Sequence, residues 1–243
     1  MAQKSQFRWN SASSSVAGNV RSQNEDACLD MPAVGLWVVA DGMGGHNAGA
    51  VASHMITEAL AAVRPHERPS DLVDDVEDRL LAVNSTLYRR SVDDPNAGLC
   101  GSTVAALLVF DGFALSLWAG DSRVYCCHNT MLEQVTRDHS EVQEYAEKHG
   151  AGGGAEPPAN VITRAVGGTE AFCLDMELRQ LRHGDHYLLC SDGLNKELKD
   201  EQIALYLAQY DSRSACKAMI EHALSGTCPD NVTVVAVQFR ETR

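Results

Sequence analysis

The sequence predicts an α+β fold in which helices cover at least partly antiparallel sheet. Three observations lead there. Short apolar or β-branched runs of strand length recur along the chain, an Asp-Gly pair separates two of them, and the apolar residues of other segments fall at helical spacing. Strand runs and helix runs are grouped instead of strictly alternating, which favours a layered α+β architecture over a doubly wound parallel sheet.

The first strand expected is 35–40 (GLWVVA), followed by 103–110 (TVAALLVF) and 113–119 (FALSLWA). Asp111-Gly112 joins the last two as a two-residue hairpin turn, because a type I′ turn needs positive φ at both positions. Further strands are expected at 186–190 and at 232–239 (VTVVAVQF). Val51, Met55, Ile56, Leu60 and Val63 mark one helix, and Leu72, Val73, Val76, Leu80, Val83 and Leu87 a second, with Ser70 and Asp71 near its start. Being consecutive, the two are expected to pack as an antiparallel pair. Residues 201–209 and 212–224 read as helices too, whereas 150–160 (GAGGGAEPPAN) breaks all periodicity and is expected to be a mobile loop.

Composition narrows the function classes. The 243 residues carry 33 Asp and Glu against 20 Lys and Arg, a net charge of −13, which repels nucleic acid and anionic membranes and attracts cations. The first residues lack the apolar core of a signal peptide, and no apolar run approaches the roughly 20 residues of a membrane helix, so a cytoplasmic protein without membrane insertion is expected. No internal repeat or long charge block divides the chain, so a single domain over 1–243 is expected. The eight cysteines contain no C-x-x-C pair and read as reduced, with Cys28, Cys126, Cys190 and Cys216 as small apolar residues and no structural zinc.

The chemistry lies in the acids. Asp41 follows LWVVA, Asp192 follows YLLCS, and Asp230 precedes a long apolar strand, so three carboxylates at strand ends are placed to converge at one end of a sheet. Any one alone is explained by turn chemistry. All three together, with Glu25 and Asp26, point to a cation site, because ionised carboxylates within a few Å repel unless cations or shifted pKa values relieve them. Oxygen donors with few histidines suit magnesium or manganese. Two such ions about 3.5–4 Å apart clamp a phosphoryl group and activate water. The glycines of DGMGG (41–45) permit close backbone approach and a carbonyl ligand, and the stretch lacks the lysine of a phosphate-binding P-loop. Arg21, just before the acidic pair, has the planar fork that grips phosphate; a surface salt bridge to those acids is its other reading.

Taken in order, RSQNED (21–26), DGMGG (41–45), GST (101–103), AGDSR (119–123), ITRA (162–165), SDG (191–193) and DNVT (230–233) resemble the motifs of the PP2C-type (PPM) protein phosphatases, over nearly the whole chain. The resemblance implies a four-layer αββα sandwich, two central antiparallel sheets flanked by helix pairs. It also implies hydrolysis of phosphoserine and phosphothreonine by water activated at two Mn2+ or Mg2+ ions, without a phosphoenzyme. By position, Asp41 bridges the metals, the Gly42 carbonyl binds one, and Asp192 and Asp230 bind the other. Glu25 and Asp26 hold metal-coordinated water, Arg21 clamps the phosphate, and Asp121 with Asp192 matches a third, weaker metal site. Asn231 supports Asp230; a tight-turn cap is the plain alternative for Asp121.

Met43 stands where some members carry a histidine proposed as general acid, and His46 reads as a surface or helix-start residue, so the proton donor to the leaving group stays open. The flap segment, about 139–160, is the family's most variable part, and substrate choice is expected there. The expected substrates are phosphorylated proteins, among them a eukaryotic-like Ser/Thr kinase and a forkhead-associated-domain protein. The sequence looks similar to phosphatases encoded beside type VI secretion systems, and a monomer is expected. Two other functional classes fit the sequence less well. A phosphoprotein-binding pseudoenzyme has no need of clustered carboxylates, and a phosphodiesterase or nuclease is disfavoured by the acidic balance.

Overall fold

A computed structural model describes residues 7–45, 47–93, 98, 100–150, 157–158 and 161–242. Two antiparallel sheets stack between helical layers. The six-stranded sheet contains β2 (Asp26–Met31), β3 (Leu36–Gly44), β4 (Cys100–Ser102), β5 (Val104–Phe110), β6 (Phe113–Ala119) and β9 (Asp175–Gln180), in the order β2-β3-β5-β6-β9 with β4 on the far end of β3. The five-stranded sheet has the order β1-β11-β10-β7-β8, from β1 (Phe7–Val16), β7 (Arg123–His128), β8 (Met131–Gln134), β10 (His186–Cys190) and β11 (Val232–Glu241). Helices α1 (Ala48–Ala61) and α2 (Pro69–Asp93) pack together on one side; α4 (Asp192–Glu197), α5 (Asp200–Gln209) and α6 (Ser212–Ser225) cover the other.

Three apolar cores follow from the layering. β3 alternates between two of them: Leu36, Val38 and Ala40 meet Ile56, Leu60 and Leu80 of the helices, while Trp37 and Val39 meet Leu189, Val235 and Phe239 of the opposite sheet. A strand buried on both faces reads as a continuous apolar run, which is why GLWVVA shows no polar alternation. An edge-on aromatic pair joins the sheets, with the Trp37 ring centre 6.1 Å from Phe239, and Tyr187 of the neighbouring strand β10 packs edge-on against the same ring at 5.8 Å. Each fully buried large side chain stabilises the fold by roughly 1.5–3 kcal/mol. The third core packs Leu188, Cys190 and Val234 against Ile203, Leu207, Met219 and Ile220.

The hairpin at Asp111-Gly112 is present, with φ of 47° and 80° and β5 antiparallel to β6. Several expectations are corrected. β3 does not stop before Asp41 but continues to Gly44, because β4 pairs Gly42 with Ser102 and Gly44 with Cys100. α2 starts at Pro69, so Ser70 lies inside its first turn and hydrogen-bonds Asp71. Asp192 opens a helix instead of a turn. The first half of the flap is helical: α3 (Glu141–His149) is capped by Ser140, whose hydroxyl accepts the Gln143 N–H at 3.3 Å. Of the loop at 150–160, all but Gly150, Pro157 and Pro158 lies outside the described residues, as does His46. All eight cysteines are unpaired; Cys126, Cys190 and Cys216 are buried and Cys28 is half-buried. Among the described residues no helix is long and apolar enough to cross a membrane.

Candidate active site

Five aspartates from separate segments gather where the two sheets meet at one end. Asp26 begins β2 and faces Asp41 across the β2–β3 ladder. Asp121 lies in the short loop from β6 to β7, Asp192 starts α4 after β10, and Asp230 lies two residues before β11. Their fields overlap. Burial raises Asp41 well above the usual carboxylate value, with Asp26, Asp192, Asp121 and Asp230 adding repulsion. Burial also pushes Asp121 up to about 7, helped by Asp192. Asp26 rises to about 6 through burial, against hydrogen bonds from Thr233 and Ser191.

The Asp41 backbone is fixed by hydroxyl residues, Ser102 and Thr103 of GST backed by Ser122 of GDSR, to which sequence reasoning assigned no task. Its N–H donates to the Thr103 hydroxyl at 3.0 Å, and its carbonyl accepts the Ser102 hydroxyl and the Thr103 N–H, both at 2.9 Å. Thr103 in turn hydrogen-bonds Ser122 at 2.7 Å, so GST and GDSR meet behind Asp41. Gly120 has φ of 114°, and a Cβ there would lie 2.6 Å from the Thr103 side chain. Gly42 donates its N–H to the Glu25 carbonyl at 3.2 Å, and a Cβ on Gly42 would come within 2.1 Å of the Gly49 carbonyl. Met43 continues β3 opposite Gly101.

Asn231 ties the opposite wall. Its side-chain oxygen accepts the Glu25 N–H at 2.8 Å, and its amide donates to the carbonyls of Ala17 and Gln23 at 3.0 and 2.9 Å. Through these bonds the backbone of Glu25 is held against Asp230. The Ser191 hydroxyl donates to Asp26 Oδ2 at 2.7 Å and accepts the Thr233 N–H at 3.0 Å, linking the two sheets at the cluster.

Two cations reach the cluster. Arg21 lies 3.2 Å from Asp230 Oδ1, so its partner is Asp230 and not the adjacent acidic pair. Lys196 is ion-paired with Asp192 Oδ2 and lies 3.7 Å from Asp230 Oδ2. Burial pulls the Lys196 ammonium down, but Asp192, Asp230 and Asp121 outweigh it and raise it above the usual lysine value. Sequence reasoning missed Lys196. Its signal was the spacing Asp192 to Lys196, an i,i+4 pair legible only if SDGLNKE is read as helix. Among the described residues no three acidic, histidine or cysteine side chains surround one point closely enough to hold an ion as they stand. The buried oxygens Asp26 Oδ1, Asp121 Oδ1 and Asp192 Oδ1 nevertheless have no hydrogen-bond partner. Buried, unpartnered carboxylate oxygens are costly and suit a cation.

A family model for protein phosphatase 2C matches residues 19–227. The chain belongs to the protein phosphatase 2C family. It is 37% identical over 235 residues to the serine/threonine protein phosphatase PstP of Mycobacterium tuberculosis, covering 92% of this chain and 44% of that protein. The chain thus spans less than half the length of that curated relative. Protein phosphatase PhpP of Streptococcus pneumoniae is 29% identical over 215 residues, 84% of this chain and 85% of that one. Among solved structures, PppA of Pseudomonas aeruginosa, described as a key regulatory component of T6SS, superposes with a TM-score of 0.88 at 38% identity, over 96% of this chain and 98% of that one. The catalytic domain of PstP in complex with two manganese ions gives 0.86 at 34% identity, over 97% of this chain and 100% of that domain. The αββα architecture is thus the fold of this phosphatase family.

Proposed function

We propose that the chain is a metal-dependent protein serine/threonine phosphatase acting on phosphoserine and phosphothreonine. One observation carries the reading: carboxylates from five segments meet in one cluster, and three of their buried oxygens, on Asp26, Asp121 and Asp192, have no partner. The donors are all oxygens, which suits Mn2+ or Mg2+, and the PstP catalytic domain holds two manganese ions. When bound, the two divalent cations supply Lewis-acid activation of the attacking water and neutralise charge on the phosphoryl group.

On this reading Asp41, the Gly42 carbonyl, Asp192 and Asp230 would hold the two ions, and Asp121 with Asp192 would hold a third, weaker one. Glu25 and Asp26 would orient water at the site. Arg21, held at the rim by Asp230, turns its fork to the phosphate oxygens. Asn231 keeps the Glu25 and Asp230 backbones in register. The Met43 side chain carries no transferable proton, so position 43 does not supply the general acid, and water at the site could protonate the leaving serine or threonine oxygen. The flap, about 139–160, borders the site through His139, whose ring accepts the Gly120 N–H at 3.1 Å, and shapes substrate choice.

The substrates are phosphorylated proteins in the cytoplasm, among them a Ser/Thr kinase that the enzyme opposes and a forkhead-associated-domain protein. Likeness to PppA supports a role in type VI secretion control. The phosphatase domain acts as a monomer.

The test is phosphate release from a phosphothreonine peptide, in manganese or in EDTA, for wild type and Asp192→Asn. Turnover that needs manganese and disappears in the variant is expected. Wild-type protein that binds manganese yet hydrolyses none of several phosphopeptides would overturn the enzyme reading.

A further inference from the structure

The carboxylate cluster is electrically lopsided. On one side, Asp192 and Asp230 already face side-chain cations: Lys196 reaches Asp192 Oδ2 and lies 3.7 Å from Asp230 Oδ2, while Arg21 sits 3.2 Å from Asp230 Oδ1. On the other, no arginine, lysine or histidine among the described residues forms an ion pair with Asp26, Asp41 or Asp121. Lys196 is tethered beside these acids: its backbone lies on α4 one turn after Asp192, and its side chain is 43% exposed.

We propose that Lys196 is a tethered counter-cation that competes with a divalent ion for the Asp192–Asp230 side of the cluster. This rests on the metal-site reading above. A divalent ion entering between Asp192 and Asp230 meets a positive charge a few Å away, and must displace the ammonium or bind beside it at a Coulombic cost. Metal-free protein therefore has two of its five clustered aspartates neutralised from within, and the ion at Asp192 and Asp230 is held more weakly and exchanges more readily than one resting on Asp41. Neutralisation from within also spares the fold: without it, two carboxylates would repel each other whenever metal is scarce.

The experiment is calorimetric titration of manganese alone into metal-stripped wild type, Lys196→Met and Lys196→Arg, together with melting in EDTA and in saturating manganese. Methionine keeps the length and helix preference of lysine without the charge. Lys196→Met is expected to bind manganese roughly tenfold more tightly, with Lys196→Arg close to wild type. Lys196→Met should also melt lower than wild type in EDTA but not in manganese. Adding Asp192→Asn should erase the tightening.

Unchanged or weaker manganese binding in Lys196→Met overturns the proposal while leaving the metal site intact. An equal loss of melting temperature with and without manganese reduces Lys196 to a helix salt bridge and also overturns it. Failure of wild type and Lys196→Met alike to bind manganese sinks the metal-site reading itself, and the proposal with it.

Discussion

Asp121 offers the sharpest check on the electrostatics of the cluster. Its carboxyl is held up at about 7, against 3.8 in the unfolded chain, chiefly by burial and then by Asp192. An acid whose folded value exceeds its unfolded value binds more protons in the native state across that window, so stability falls as pH rises from about 4 to 7. At about 1.4 kcal/mol per pH unit, forced ionisation of Asp121 at pH 8 removes roughly 4 kcal/mol from the metal-free protein. Asp121→Asn is a neutral mimic of the protonated acid and escapes this loss. Buried His139 and half-buried His186, whose values are lowered by desolvation, act in the opposite direction below pH 6.5. They are common to both proteins and cancel in the comparison. The assay is tryptophan-fluorescence melting in EDTA at pH 5, 6, 7 and 8. The gap should be small near pH 5, where roughly 1.6 kcal/mol of the loss has already accrued, and widen as pH rises, the variant melting higher by roughly 10 °C at pH 8, at 2–4 °C per kcal/mol for a chain of this size. Saturating manganese should narrow the gap, because the cation then offsets the ionised carboxylate. Parallel curves, or a variant that melts lower at pH 8, would refute the reasoning.

Two further outcomes are expected. Manganese should raise the melting temperature of the wild type by binding the folded carboxylates in preference to the unfolded chain, and Asp41→Ala should abolish that shift; an equal shift in both proteins counts against the site. Asn231→Ala removes three hydrogen bonds and strands the Glu25 N–H, and should cost roughly 2–4 kcal/mol in urea unfolding, whereas a loss below about 0.5 kcal/mol would show that Asn231 does not tie the loop.

What the sequence determined by itself is what local chemistry and periodicity encode. The Asp111-Gly112 turn needs two residues tolerant of positive φ, the strands buried on both faces read as unbroken apolar runs, and α1, α2, α5 and α6 carry apolar stripes at helical spacing. Asp41, Asp192 and Asp230 stood out for the same reason, each being an acid placed directly against an apolar strand. Only the tertiary structure decided the rest, because it depends on partners distant in the chain. β1 is a serine-rich segment with weak strand preference, and it becomes a strand by pairing along its whole length with β11, Phe7 against Glu241 to Val16 against Val232. The same holds for β9, a short edge strand whose register comes from β6. At the site, the hydroxyls of Thr103, Ser122 and Ser191 and the ammonium of Lys196 acquire their tasks only when two sheets bring separate segments within hydrogen-bond reach. The raised pKa values of Asp26, Asp41 and Asp121 arise there too, since desolvation and mutual repulsion are properties of the assembled cluster and of no single segment.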